Sequence, residues 1–127
     1  MSDTGFVPVG TVIDLGRPMT LPIESAARKE IPIYGGCIRY FPAILARVAA
    51  LSKKGNDKHN PGQPLHWSRG KSNDHAECIA RHLIDLEAID PDTGEPHWVA
   101  LAWRVLAYGQ IQCEKEGAPL APGASNG

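Results

Sequence analysis

The chain lacks the marks of several protein classes. Lysine and arginine number 13 against 14 aspartates and glutamates, a formal net charge of −1, so the basic footprint of a general nucleic-acid binder is missing. No apolar run reaches membrane-spanning length and no signal peptide is recognisable, so a cytoplasmic protein with no membrane partner is expected. The three cysteines (Cys37, Cys78, Cys113) are odd in number and form no Cys-x-x-Cys pair. Reduced thiols rather than a disulfide framework follow. No internal repeat is visible. At 127 residues the chain suits one domain with a modest core.

Residues 1–36 hold Pro8, Pro18, Pro22 and Pro32 and five glycines. Proline fixes φ and removes a donor, so this stretch is expected to be an irregular N-terminal arm. Three helices follow. The first is predicted over 38–54 with Pro42 in its first turn. Phe41, Ile44, Leu45, Val48 and Ala49 form its apolar stripe, and Gly55 is its stop. The second is predicted over 72–87, capped by Ser72 or Asn73, with Ala76, Ile79, Leu83 and Leu86 on one face. Asp74, Cys78, Arg81 and Asp85 fall on the opposite face, with His75 and His82 at the edge of the apolar stripe. Residues 88–95 read as a turn. The third helix opens at Pro96 and runs through residue 112, with Trp98, Leu101, Ala102, Val105 and Tyr108 or Gly109 inward. The expected architecture is all-α: a helical domain over 37–113, then a flexible tail over 114–127. Three short helices bury little alone, so the bundle is expected to be completed by oligomerisation.

The loop 55–71 and the second helix concentrate chemistry. Asp74 and Glu77 are neighbours on a helix and repel each other. A divalent cation with a preference for oxygen donors would relieve this, although acids in a first turn also suit the helix dipole. Arg69, Lys71 and Ser72 precede a helix N-terminus, an arrangement open to phosphate or to ordinary capping in a solvated loop. His82 and His97 are candidates as ligands, phosphate donors or general acid/base groups, or as core-edge histidines with one satisfied nitrogen. His75, Cys78 and His82 share a helix side, but no second Cys/His pair completes a zinc site. Trp67, in a polar loop, is the tryptophan better placed to stack on a base, or equally to anchor the loop.

The segment "GNDKHNPGQPLHWSRGKSNDHAECIARHL", followed by "HWVALAWRVLA", resembles the phage and bacterial dATP/dGTP diphosphohydrolase family, a MazG-like group within the all-α nucleoside triphosphate pyrophosphohydrolases. The likeness spans roughly residues 36–112. The small size is similar to phage members that convert dGTP to dGMP on the way to 2-aminoadenine-containing DNA, which would place the protein in a host cytoplasm. The resemblance implies metal-dependent hydrolysis of a (deoxy)nucleoside triphosphate, dGTP or GTP first, to monophosphate and pyrophosphate. It also implies two or three Mg²⁺ or Mn²⁺ ions on acids of two packed helices, in a dimer or tetramer. Asp74-x-x-Glu77 can stand for the first acid pair. The third helix departs from the pattern, offering His97 and Ala100 where acids are expected, so Asp85, Glu87, Asp90 or His97 could complete the site.

On this reading Glu77, Asp74 and His97 bind metal, and Glu77 and Asp85 serve catalysis. Arg69, Lys71, Ser72, Arg81 and Lys54, with Lys53 behind them, meet phosphate. Trp67, Asn60 and His82 meet the nucleoside, with the Gly35-Gly36 segment as another base contact. Two other readings compete. One is a non-catalytic helical interaction module. The other is an HD-type triphosphohydrolase, which needs a His-Asp dipeptide that the chain does not contain.

Overall fold

The computed structural model describes residues 19–71 and 74–124, with only the backbone at Lys71. The chain divides into two compact units, Met1–Tyr40 and Phe41–Gly127. In the first, helix α1 (Ser25–Lys29) is capped by Glu24, whose carboxylate accepts from the N–H groups of Ala26 and Ala27 at 3.2 and 2.9 Å. A π-helical turn, Tyr34–Ile38, contains Gly35 and Gly36.

The second unit holds α2 (Pro42–His59), α3 (His75–Ile84) and α4 (His97–Lys115). Among the described residues there is no strand, only an isolated bridge between Ile89 and Pro96. The all-α expectation holds. Helix α4 packs against both α2 and α3. Val48 of α2 and Val99 and Ala107 of α4 are the buried apolar residues.

Three helix boundaries and faces differ from the pattern reading. Helix α2 passes through Gly55 and ends at His59, with Asn60 as its cap directly before Pro61, which disfavours helical geometry in its predecessor. Asn56 makes this extension useful. It is buried, its Nδ2 donates to the Gln63 carbonyl at 3.0 Å, and its Oδ1 accepts from the His66 N–H at 3.2 Å. The helix thereby holds the loop that follows it.

Helix α3 is rotated from its expected orientation. The inward series is His75, Ile79 and His82, while Ala76 is exposed and Leu83 is 57% exposed, and the helix stops at Ile84 rather than at residue 87. Polar pairing explains the turn: His75 Nδ1 lies 3.2 Å from an Arg104 guanidinium nitrogen, and His82 meets His97, both on α4. Residues at i, i+4 and i+7 share a helix face, so the two histidines replace Ala76 and Leu83 in the seam. Leu83, Ile84, Val105, Leu106 and Tyr108 are left exposed, which corrects the inward assignment of Val105 and Tyr108.

The expected flexible tail is docked as far as residue 124. Helix α4 continues to Lys115, and Glu114 forms a nearly buried ion pair with Arg69, the two side chains 6% and 9% exposed. Glu114 also accepts from the Ala121 N–H at 2.8 Å and from Gln110 at 2.9 Å. Gly123 lies against Trp67. Its φ is +91°, and a Cβ there would fall 2.4 Å from the Trp67 carbonyl oxygen, so a side chain does not fit.

Candidate active site

The turn over residues 88–97 builds the most distinctive side-chain cluster. Pro91 sits within it, and Gly94 supplies a left-handed φ of +77°. The Asp90 N–H donates to the Glu95 carbonyl at 2.8 Å, and the His97 N–H donates to the Ala88 carbonyl at 2.9 Å. These bonds close the turn like a clasp and bring Asp90 and His97 together, although seven positions separate them. Asp90 Oδ1 accepts from the Asp92 N–H at 2.9 Å, which leaves Oδ2 facing His97 Nδ1 at 3.8 Å. Helix α2 pins the clasp from outside with one face: Arg47 pairs with Glu95, Lys54 donates to the Thr93 carbonyl, and Lys58 reaches Asp92 at 2.6 Å. These pairings hold the Glu95 and Asp92 carboxyls below their usual range, chiefly through the hydrogen bonds from Arg47 and Lys58.

His82 of α3 completes the cluster. Its Nδ1 lies 2.9 Å from His97 Nδ1, and the three ligand-type atoms of His82, Asp90 and His97 all lie within 4.8 Å of one another. Burial first, then the proximity of His97, lowers the His82 pKa, which favours the neutral ring with a lone pair to offer. His75 is lowered in the same way, by burial and by Arg104.

The cluster opens on a cleft of about 770 Å³ in which His82 and Asp90 are lining residues, a size common for small-molecule sites. Lys54, Lys58 and Arg104 contribute positive charge to its walls, and Trp67 and Trp103 contribute aromatic surface. The two indoles meet edge to face, with centroids 5.5 Å apart and an interplanar angle of 77°. Trp103 Nε1 donates to Ser52 Oγ at 2.7 Å, and the Arg69 guanidinium lies 4.0 Å from the Trp67 ring centre. The docked tail adds Ala121 and Pro122 to the lining.

The residues expected in the site are thus only partly gathered. His82, Asp90 and His97 form the cluster, and Lys54, Asn60 and Trp67 line the cleft. Arg69 pairs with Glu114 and is absent from the cleft lining. Asp74, Glu77, Arg81 and Asp85 are exposed and absent from the cleft lining. Asp74 is engaged by Arg81 at 3.4 Å, and that hydrogen bond raises the Arg81 pKa. Lys53 pairs with Asp57 at 2.6 Å, and Glu87 is exposed. The Lys71 side chain and Ser72 lie outside the described residues, and Gly35 and Gly36 belong to the first unit. Among the described residues, the ligand-type atoms of His82, Asp90 and His97 lie together, all within 4.8 Å of one another, whereas Asp74, Glu77 and Asp85 are exposed in this chain. Lys58 and Arg104 were not singled out in the sequence. Lys58 follows Lys54 by one helical turn, and Arg104 follows His97 by two, spacings that a search for shared faces would catch.

A helical domain with this cleft falls in a class of nucleotide diphosphohydrolases by comparison with known families: residues 31–119 match the family model described as dATP/dGTP diphosphohydrolase, N-terminal. The chain belongs to the dATP/dGTP diphosphohydrolase family. No curated protein and no solved structure matches it.

Proposed function

We propose that the protein hydrolyses a purine deoxynucleoside triphosphate, with dGTP the leading candidate, between the α and β phosphates to release the monophosphate and pyrophosphate. The observation that carries this reading is the His82–Asp90–His97 cluster at a cleft whose walls bring Lys54, Lys58 and Arg104, within the span of the family match. Polyphosphate hydrolysis needs both parts: cations along the phosphate chain and a centre that prepares water.

In this reading Lys54 and Lys58 exchange their present partners, the Thr93 carbonyl and Asp92, for phosphate oxygens on the α2 wall, and Arg104 binds phosphate from α4. The Trp67–Trp103 corner receives the base or sugar, with Asn60 beside it. The ring of His82, whose neutral form burial favours, offers a lone pair rather than a positive charge. Asp90, fixed by the Asp92 N–H, aims its second oxygen at the same point. A divalent cation held there supplies charge neutralisation for the phosphate oxygens and lowers the pKa of a bound water. Self-association belongs to the same reading, because Leu83, Ile84, Val105, Leu106 and Tyr108 present apolar surface on α3 and α4.

The test is incubation of the protein with each nucleoside and deoxynucleoside triphosphate and Mg²⁺ or Mn²⁺, with the products resolved by chromatography. Deoxynucleoside monophosphate and pyrophosphate are expected. Release of triphosphate and nucleoside would assign an HD-type cleavage, and no turnover of any nucleotide would leave an interaction module.

A further inference from the structure

We infer that His82, Asp90 and His97 form a single-ion centre for a first-row transition metal of the Mn²⁺–Co²⁺ group, in preference to Mg²⁺. The geometry of the donors is the first argument. Two imidazole nitrogens bound to one ion at about 2.1 Å and at right angles stand about 3.0 Å apart. His82 Nδ1 and His97 Nδ1 are 2.9 Å apart, and Asp90 Oδ2 lies 3.8 Å from His97 Nδ1, all ligand atoms within 4.8 Å of one another.

The second argument is rigidity. His82 is carried by α3, His97 opens α4, and Asp90 is fixed by the Asp92 N–H in a turn whose two ends are hydrogen bonded to each other. Ligands held by their own second contacts favour binding, because little ordering remains to be done.

The third argument is donor chemistry. Two imidazoles and one carboxylate are softer than the oxygen cages that Mg²⁺ takes, and affinity for such a set rises from Mn²⁺ toward Co²⁺. Three protein ligands leave positions open on the cleft side, where His82 and Asp90 line the wall. The acid pair Asp74 and Glu77 offers no equivalent, since both are exposed and Asp74 is engaged by Arg81.

This inference names the cation of the proposed hydrolytic site, but it is tested without nucleotide. Titrate the purified chain calorimetrically with MnCl₂, CoCl₂ and MgCl₂, and record the visible absorption of the Co²⁺ complex. One ion per chain is expected, with Co²⁺ and Mn²⁺ bound at least about tenfold tighter than Mg²⁺. Asp90→Asn and His82→Ala should each weaken Co²⁺ binding by about tenfold or more and remove its absorption band, with far-UV circular dichroism unchanged. Asp90→Asn is nearly isosteric and keeps the test valid if His82→Ala unfolds. Absence of Mn²⁺ and Co²⁺ binding by the wild type would overturn the inference and leave a hydrogen-bonded histidine pair. Loss of the ion in Glu77→Gln, with Asp90→Asn binding normally, would overturn it in favour of the α3 acids. Metal binding without nucleotide turnover would sink only the proposed hydrolysis, and turnover with no ion on this cluster would sink only the inference.

Discussion

Replacing Glu114 by glutamine tests whether the end of the described chain is part of the cleft's architecture. The carboxylate sits 6% exposed against Arg69, and its pKa is lowered from 4.5 to about 2, first by the hydrogen bonds from Arg69 and then, against the opposing effect of desolvation, by those from Gln110 and Ala121. At about 1.4 kcal/mol per pKa unit, that depression is worth on the order of 3 kcal/mol, matching the roughly 3–5 kcal/mol typical of breaking a buried pair from one side. A folded-state pKa below the unfolded one stabilises above the unfolded value, and this stability is lost as pH falls through the folded value. Urea unfolding should therefore show Glu114→Gln less stable than wild type by about 3 kcal/mol near pH 7, the gap narrowing to about 1.4 kcal/mol by about pH 3. The glutamine oxygen still accepts from the Ala121 N–H, so the value is an upper bound. A gap below about 1 kcal/mol at neutral pH, or one that does not change with pH, would refute the assignment of Arg69 to this pair.

Three further changes probe the same framework. Gly123→Ala places a methyl group 2.4 Å from the Trp67 carbonyl, so the tail should undock, and hydrogen exchange at the Ala121 amide should accelerate strongly. Gly94→Ala meets only Lys54 Nζ at 3.5 Å but must hold a φ of +77°; a loss of about 1–2 kcal/mol in urea unfolding is expected from that backbone strain alone. Asn56→Ala strips the Gln63 carbonyl and the His66 N–H of their partner, costing about 1–3 kcal/mol, and nucleotide KM should rise as the cleft-lining loop loosens.

Much of the fold was legible because its signals are local. Pro42 and Pro96 start helices, and the Asp-Pro-Asp-Thr-Gly run marks a turn, whereas Gly55 reads as the end of α2 that Pro61 in fact sets. The interior face of α3 was not legible. Apolar periodicity favours Ala76 and Leu83, whereas His75 and His82 win the seam because Arg104 and His97 wait on α4, a contact between two helices that the pattern of either one alone does not show. The candidate site divides in the same way. His97 and His82 were recognisable as chemistry-bearing residues, and Asp90 as one possible complement to them. Their convergence depends on how the turn over 88–97 closes. Arg69 illustrates the opposite case: its position before a helix suggested phosphate, but its partner Glu114 lies beyond the stretch where any core pattern was visible.

The central claim is that the chemistry is organised by the clasp cluster rather than by the acids of α3. Its most direct test is the steady-state turnover of dGTP by Asp90→Asn and Glu77→Gln, measured side by side as pyrophosphate release, with circular dichroism confirming the fold. The account predicts that Asp90→Asn loses turnover by about a hundredfold or more, a far greater loss than Glu77→Gln suffers. Wild-type-like turnover by Asp90→Asn together with an inactive Glu77→Gln would contradict it.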